Sequence, residues 1–306
     1  MEVQPSNLSY GGFLFKSFAA IGITYCAKKC FNLCSWIYKS FFLPQIDFKA
    51  TYGNGWVIIT GGSDGIGLAF AEQFIQRDMK ICLMARNEEK LNQTINKLKE
   101  KYNKAQIKYI VFDFDKYYTN DEISQLQSKL NFELGDDISI LFNNVGNVAR
   151  GLLTELSNEQ IRTMFNVNIN TVTFITKIIL EKMQKRQRSL VFFSGAVMGQ
   201  MRFGTRQVYS SAKAYIESIS ECLSREYKNV DFTCLNIGPV ESNFNRAKMP
   251  FTVQPDDFAK SAINKLGKYQ YTGGCVKHDI FWFLFWNVPF LKGMIHKKML
   301  AKPKSE

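Results

Sequence analysis

Short apolar runs alternate with longer amphipathic stretches through most of the chain. Six short runs are mainly apolar, and the first of them is continuously apolar, as expected for a strand buried on both faces of a sheet. The six cover residues 56–60, 80–85, 107–112, 138–142, 190–194 and 232–237. Stretches with helical periodicity separate them, at residues 68–77, 88–102, 121–130, 158–184 and 209–227. This alternation predicts an α/β fold with a doubly wound parallel sheet.

The N-terminal part of the chain departs from the alternation. Residues 11–27 are mostly apolar, and a second apolar and aromatic run covers residues 31–44. Lys16 interrupts the first run and Lys39 the second, and Lys28 and Lys29 lie between the two runs. The pattern predicts a membrane-anchor helix, as one span or a re-entrant hairpin, with Lys28 and Lys29 on the cytoplasmic side. The alternative is an amphipathic helix that packs on the globular domain.

A third apolar segment, rich in aromatic residues, lies near the carboxyl end at residues 279–291. It is too short to span a bilayer and predicts an amphipathic interfacial helix that could cover an apolar pocket. A core helix that caps the sheet edge is the alternative. We therefore expect a membrane-associated segment (1–50, whose first nine residues are polar), an α/β domain (51–275) and an interfacial segment with a basic tail (276–306).

Charge indicates what the protein binds. The 306 residues are 46% hydrophobic, which suits one large domain with appendages. The net charge of +12 comes from basic residues scattered among acidic ones, without the interleaved aromatics of a base-stacking surface. A membrane surface is therefore the expected partner, and nucleic acid is not.

The seven cysteines and two histidines show no metal-ligand spacing, so no metal site is expected. Cys26, Cys30 and Cys34 recur every four residues, which places them on one helix face. We interpret them as small packing residues, with reversible palmitoylation near a membrane as the alternative.

Candidate chemistry begins with Tyr209 and Lys213. At a spacing of four residues they share a helix face, with about 5–6 Å between their Cβ atoms. A phenol has a reference pKa of about 10, and a neighbouring ammonium favours the phenolate and lowers that pKa. The pair is therefore a candidate for proton transfer at neutral pH.

A glycine-rich turn follows the first predicted strand, with Gly61, Gly65 and Gly67 as its glycines. Glycines between a strand and a helix let backbone N–H groups and the helix N-terminus approach a dinucleotide pyrophosphate. A plain tight turn is the alternative for this feature taken alone.

Three motifs occur together and in order: the glycine turn, the sequence Asn143-Asn-Val-Gly146 after the fourth strand, and the Tyr209–Lys213 pair. They match T-G-x-x-x-G-I-G, N-N-A-G and Y-x-x-x-K, so residues 54–245 resemble the short-chain dehydrogenase/reductase superfamily. The resemblance implies a doubly wound parallel Rossmann-type sheet, here with an N-terminal membrane-anchor helix and a C-terminal amphipathic segment. It also implies a nicotinamide cofactor.

The resemblance assigns roles residue by residue. It implies Tyr209, Lys213 and Asn168 as catalytic residues, with Asn166 and Asn170 as register alternatives to Asn168. The residues that it implies for cofactor binding are Gly61, Ser63, Asp64, Gly65, Ile66, Gly67, Arg86, Asp113, Asn144, Gly146, Tyr209, Lys213, Gly238, Val240 and Ser242. Ile237 stands where the family's loop near the nicotinamide usually has proline.

The end of the second strand bears on cofactor choice. NAD-specific members carry an acidic residue there for the ribose 2′-hydroxyl, whereas this chain has Ala85 followed by Arg86. A guanidinium can pair with a 2′-phosphate, so NADP(H) is expected over NAD(H). Arg86 as an exposed side chain that stacks on adenine is the alternative.

One catalytic position departs from the family pattern. The serine expected thirteen residues before the tyrosine is Ala196, which cannot donate a hydrogen bond to a substrate carbonyl. Ser194 lies two residues upstream and faces the same side of an extended strand, so both residues are expected to face the substrate. The departure leaves two hypotheses open: an active reductase, or a pseudoenzyme that serves as a dinucleotide-binding subunit of a membrane complex.

Local features look like the membrane-bound 17β-hydroxysteroid dehydrogenase/very-long-chain 3-oxoacyl-CoA reductase branch. They are the anchor-like segment, Val145 in place of alanine, and the Phe-Asp-Phe sequence at 112–114. The branch implies NADPH-dependent reduction of a ketone on a 3-oxoacyl-CoA in fatty-acid elongation, or on a 17-ketosteroid. It implies an endoplasmic reticulum membrane with the catalytic domain in the cytosol, and a homodimer or membrane-complex subunit; a mitochondrial membrane is the alternative. The K-x-K-x-x pattern at 302–306 agrees with retrieval to the endoplasmic reticulum.

Overall fold

The computed structural model describes residues 10–42, 44–116, 118–202, 204–242 and 251–288, together with 290, 293, 294 and 297. The chain divides into two compact units, Met1–Pro44 and Gln45–Glu306. The predicted polar leader at residues 1–9 and the K-x-K-x-x pattern lie outside the described residues.

The first unit contains one unbroken helix, α1 (Tyr10–Phe41). The helical part of the N-terminal prediction is confirmed, and the helix runs straight through the point where a re-entrant hairpin would turn. Within the described ranges, no helix combines the length and apolarity needed to cross a bilayer. The expectation of a spanning segment is therefore corrected, and the lysines that interrupt the apolar runs are the physical reason.

The second unit is built on a seven-stranded sheet. The strands are β1 (Trp56–Thr60), β2 (Lys80–Ala85), β3 (Ile107–Val111), β4 (Ile138–Asn143), β5 (Ser189–Ala196), β6 (Val230–Ile237) and β7 (Tyr271–Thr272). Their order is β3-β2-β1-β4-β5-β6-β7, and every neighbouring pair is parallel. The six predicted strands are confirmed. The seventh strand was not predicted, because its two residues are too few to show an alternation of apolar and polar positions.

The remaining helices connect and flank the strands. They are α2 (Phe48–Tyr52), α3 (Gly65–Ile75), α4 (Glu88–Lys101), α5 (Asn120–Leu134), α6 (Asn158–Phe165), α7 (Thr171–Met183), α8 (Val197–Met201), α9 (Gln207–Glu226), α10 (Pro255–Ala262) and α11 (Val276–Asn287). The predicted helix over 158–184 is interrupted, because a π-helical turn at Asn166–Asn170 separates α6 from α7.

Apolar residues fill both faces of the sheet. On one face a phenylalanine cluster joins strands to helices, and the rings of Phe142 and Phe192 stack at 4.0 Å between centroids. On the other face Ile58, Leu141 and Val191 pack against α5 and α7. The central strands read as continuous apolar runs because neither of their faces meets water.

Helix α11 places apolar side chains on two sides. Phe281 and Phe285 are buried with Val197 and Met201, whereas Phe283 and Trp286 on the other side are 59% and 44% exposed. The predicted polar face of an amphipathic segment is therefore absent from the described part of this helix, which is a correction. One side packs on the domain and the other presents aromatic rings to the surroundings.

Candidate active site

A cavity of about 340 Å³ opens at the carboxyl ends of the central strands. This is where parallel α/β sheets bind ligands, because the strand order changes direction there between β1 and β4. Predicted residues that line it are Gly61, Asp64, Gly65, Ile66, Asn144, Gly146, Ser194, Ala196, Tyr209, Lys213, Gly238, Val240 and Ser242. The fold thus brings together residues from five separate loops and helix ends.

The turn after β1 forms a backbone cradle. Gly61 and Gly65 adopt positive φ values of 66° and 53°, which L side chains rarely adopt. Asp64 caps α3 by accepting from the Gly65 N–H at 2.7 Å, and its other oxygen pairs with Lys90 Nζ at 2.7 Å. The cradle and helix N-terminus fit the pyrophosphate of a dinucleotide, with the Asp64 charge offset by Lys90.

Gly67 lies beneath this cradle and does not line the cavity. A Cβ at this position would lie 2.4 Å from the Gly61 carbonyl oxygen and 2.7 Å from Asn144 Nδ2. We expect Gly67→Ala to displace the turn, raise the Kd for NADPH at least about tenfold and cost about 1–3 kcal/mol of unfolding free energy. Fluorescence titration with NADPH and thermal unfolding measure both effects. The control is Gly22→Ala, where an added Cβ meets nothing within 4 Å; equal NADPH affinity in the two variants would contradict the assignment.

Thr60 and Asn144 tie the cradle to the loop after β4. The Thr60 hydroxyl accepts from the N–H groups of Asn144 and Val145 at 2.9 and 3.1 Å. The Asn144 side chain donates to the Thr60 and Gly61 carbonyls and accepts from the Ser194 hydroxyl at 3.1 Å. Thr60 was not among the residues predicted from the sequence, although its position directly before Gly61 in the glycine motif could have indicated it.

The Tyr209–Lys213 pair is buried at the N-terminal end of α9, with 7% and 4% of each residue exposed. Lys213 Nζ lies 5.5 Å from the centre of the Tyr209 ring and donates to the Ser194 carbonyl at 2.6 Å. Burial lowers the pKa of Lys213 to about 8. Burial also raises the pKa of Tyr209, and the charge that acts against burial is that of Arg206 rather than the predicted Lys213.

Asn168 lies inside the π-helical turn and is fully buried. Its amide donates to the Asn147 and Met164 carbonyls at 2.8 and 2.9 Å and accepts from the Asn147 N–H at 3.1 Å. The side chain therefore fixes the loop after β4 against α6, and it does not line the cavity. The register alternatives differ: the Asn166 amide donates to Asp115 and the Asn170 amide to Asn166.

The substrate side of the cavity has an arginine that the candidate list missed. Arg206 precedes Tyr209 by three residues and lines the cavity with Arg150 and Ala196. Burial, and then the like charge of Arg150, lower the pKa of Arg206 to about 10. Its position three residues before Tyr209 was the available signal, but nothing in the sequence indicated that the side chain would be partly buried.

A histidine from α11 holds the loop after β6. His278 is fully buried; its Nδ1 accepts from the Gly238 N–H at 3.2 Å, and Nε2 lies 3.1 Å from the Pro239 carbonyl oxygen. An acceptor at Nδ1 and a donor at Nε2 describe a neutral imidazole, and burial lowers the pKa of this ring. The loop beside Gly238 thus depends on the C-terminal helix, which its sequence did not indicate.

Besides Gly67, three predicted cofactor residues lie off the cavity. Arg86 follows β2 and is exposed, and no ion pair or hydrogen bond of its side chain is seen within the described ranges. Asp113 follows β3 and is exposed; its carboxylate accepts from the Asp115 N–H at 3.1 Å. Ser63 accepts at its carbonyl from Thr94. Arg86 and Asp113 both follow strands on the β3-β2-β1 half of the sheet, the side expected for the adenosine.

Comparisons with known proteins agree with this geometry. The short chain dehydrogenase family model matches residues 55–251. A Mus musculus very-long-chain 3-oxoacyl-CoA reductase is 31% identical over 74% of this chain and 72% of its own length. A Caenorhabditis elegans protein that carries a steroid dehydrogenase name is 31% identical over 78% of this chain and 77% of its own.

Solved structures share the fold. A short-chain dehydrogenase from Sphingobium yanoikuyae in complex with NADPH superposes with a TM-score of 0.67 at 18% identity, over 82% of this chain and 98% of its own. The family match and the two relatives make the chain a member of the short-chain dehydrogenase family. It is an NAD(P)-dependent oxidoreductase of C–OH and C=O groups, in the branch of very-long-chain 3-oxoacyl-CoA reductases and steroid dehydrogenases.

Proposed function

We propose that this protein is an NADPH-dependent reductase of long-chain 3-oxoacyl-CoA, with a 17-ketosteroid as the alternative substrate. One observation carries the proposal: the buried Tyr209–Lys213 pair faces a cavity that runs from the glycine cradle to an apolar wall. The glycine cradle suits the cofactor, and the apolar wall suits a lipid-like chain.

The apolar wall comes from several elements. Its residues outside the candidate list are Val148, Val197, Met198, Met201 and Phe281. Methionines adapt to chains of different shape because their side chains are unbranched and flexible. Acyl-CoA reductase and steroid dehydrogenase names among the relatives support a lipid-like ketone as substrate.

The residues that line or support the cavity have separate roles in the proposed reaction. A bound NADPH supplies hydride to the carbonyl carbon. Tyr209 donates a proton to the carbonyl oxygen, since burial favours its protonated form at neutral pH. Lys213 holds the cofactor ribose, and Asn168 keeps the loop after β4 in place for a proton relay to solvent.

Arg86 supports the choice of NADPH. It is an exposed guanidinium directly after β2, where an NAD-specific enzyme would carry a carboxylate. We expect Arg86→Ala to lower kcat/KM for NADPH by about tenfold to a hundredfold, the range of a charge-assisted hydrogen bond, and to leave NADH unchanged. Steady-state rates with both cofactors measure this. Lys97→Ala, on the exposed side of α4, is the control; equal losses with NADPH and NADH would contradict the role.

We place the enzyme at the endoplasmic reticulum membrane with the catalytic domain in the cytosol, and a homodimer is the expected assembly. Each unit supports membrane contact separately. Aromatic side chains on α1, such as Phe15 and Phe31, are more than 70% exposed, and α11 exposes Phe283 and Trp286. Basic side chains beside exposed aromatic ones are typical of segments in the interface of a bilayer.

The test is NADPH oxidation by detergent-solubilised protein with a long-chain 3-oxoacyl-CoA, and in parallel with a 17-ketosteroid. If the protein reduces the acyl-CoA and this turnover requires Tyr209, it is the proposed acyl-CoA reductase. If it reduces only the steroid, its substrate is the 17-ketosteroid instead. NADPH binding without turnover of any ketone would overturn the proposal.

A second candidate function is a dinucleotide-binding subunit without activity. Ala196 favours it, because alanine cannot donate a hydrogen bond, and the nearby Ser194 hydroxyl donates to Asn144 Oδ1 instead. NADPH binding without turnover is the result that selects this candidate.

A further inference from the structure

The structure assigns to Arg206 the part of a second hydrogen-bond donor to the reacting carbonyl oxygen, beside Tyr209 and in place of the hydroxyl that Ala196 lacks. This inference rests on the proposed reductase function and adds a catalytic residue to it.

The first step of the argument is position. Arg206 is the N-cap residue of α9, and Tyr209 lies in the first turn of the same helix. Both side chains line the cavity, and the positive charge of Arg206 acts on the Tyr209 phenol. The Arg206 guanidinium also reaches Met198 Sδ at 3.3 Å, two residues after Ala196. Arg206 thus extends from the tyrosine toward the segment in which the missing hydroxyl would stand.

The second step is hydrogen bonding. Arg206 Nε is buried and has no acceptor within the described part of the chain. Its Nη1 donates only to a thioether, which is a weak acceptor. Nε has almost no accessible surface, so the terminal N–H groups of this guanidinium, which lines the cavity, are the donors that a carbonyl oxygen with developing negative charge would meet.

The third step is charge. The charged residues that line the cavity are Asp64, Arg150, Arg206 and Lys213. Asp64 is paired with Lys90 at the cofactor end, and Lys213 donates to the Ser194 carbonyl. Arg150 adds positive charge next to Arg206. The substrate side is therefore cationic and suited to an oxyanion.

In the reaction the carbonyl carbon gains hydride, and its oxygen gains the proton of Tyr209. Arg206 keeps its protons and stabilises the oxygen while charge develops. A guanidinium suits this role because it stays protonated at neutral pH and offers donors in a fixed fork.

The kinetic experiment combines Arg206→Gln with Ala196→Ser in a double-mutant cycle. We expect Arg206→Gln to lower kcat by about 10²–10³, the loss typical of one oxyanion donor, with the Kd for NADPH and the Tm unchanged. Arg206→Lys should lose less, because it keeps the charge. Ala196→Ser should recover at least about tenfold in the Arg206→Gln background and add less than about threefold to the natural protein, since one donor covers for the other.

The control variant is Arg225→Gln, an exposed arginine on the same helix that pairs with Glu221. Activity of Arg206→Gln within threefold of the natural protein would overturn the inference. So would equal gains from Ala196→Ser in both backgrounds. A loss that comes with weaker NADPH binding or a lower Tm, and that Ala196→Ser does not rescue, shows a structural role and also overturns it.

A binding experiment separates this inference from the proposed function. Decanoate carries a full carboxylate charge where the oxyanion would form, and decanol is its neutral control. In the complex with NADP⁺, we expect Arg206→Gln to weaken decanoate binding at least about tenfold and leave decanol unchanged. If the natural protein reduces no ketone, the reductase proposal fails and the catalytic part of this inference fails with it. Decanoate binding that depends on Arg206 would then still show that its guanidinium receives an anion in this cavity, and binding that does not depend on Arg206 overturns the inference in either case.

Discussion

Tyr209→Phe is expected to lower kcat/KM for the ketone substrate by about 10³, within the range of a general acid, while the Kd for NADPH changes less than threefold. The substitution removes one hydroxyl from the cavity wall and keeps the ring that packs beneath the Lys213 ammonium. Stopped-flow and steady-state NADPH oxidation at saturating cofactor measure the loss directly.

Tyr215→Phe is the matched control for this prediction. Tyr215 lies on the same helix, is partly buried, and shares a hydrogen bond of 2.7 Å with Thr173, away from the cavity. Removal of the Tyr215 hydroxyl should leave turnover within twofold of that of the natural protein. A Tyr209→Phe variant that keeps more than a tenth of the activity would show that another group supplies the proton.

Lys213→Met is expected to abolish most activity and at the same time raise the Tm of the cofactor-free protein. Lys213 is 4% exposed, and the pKa of its ammonium falls from 10.5 to about 8, so this charge opposes folding at pH 7 by on the order of 3 kcal/mol. Methionine has a similar length and no charge, although the bond to the Ser194 carbonyl is lost. We expect a rise of roughly 2–6 °C and a fall of at least about 10² in kcat/KM.

The pH dependence of this effect has a defined sign. Between pH 8 and 10.5 the unfolded chain holds a proton on Lys213 that the folded chain has released. The stability of the natural protein therefore rises with pH through this window relative to Lys213→Met, and the difference in Tm should shrink from pH 7 to pH 10. Thermal scans of both proteins at several pH values measure it. A lower Tm for Lys213→Met at pH 7 would contradict the prediction.

Much of the fold could be predicted from the sequence, because central parallel strands are buried on both faces and therefore appear as apolar runs. The glycine cradle was readable because Gly61 and Gly65 need backbone conformations that few other residues adopt. These features depend on local sequence alone. β7 could not be predicted, because two residues are too few to show the alternation of a strand. The π-helical turn at Asn168 could not be predicted either, because one extra residue in a turn does not visibly change the helical spacing of apolar residues.

The site residues that were missed depend on tertiary contacts. Arg206 is partly buried because α8 and the start of α9 enclose it against Met198. His278 reaches Gly238 across forty residues of sequence. Neither contact leaves a signal in the local sequence. Both the Arg206 donor beside Tyr209 and the support of the Gly238 loop by His278 could therefore be found only from the structure.

The contact between His278 and the loop at Gly238 also bears on synthesis by the ribosome. Translation delivers β1 to β6 and α9 before α11, since chains emerge from their N-terminus. The glycine cradle and the Tyr209–Lys213 pair are thus available while the nascent chain still lacks His278 and Phe281. We therefore expect a nascent chain to form the glycine cradle first, and to complete the loop at Gly238 and the Phe281 side of the substrate wall only once α11 has emerged.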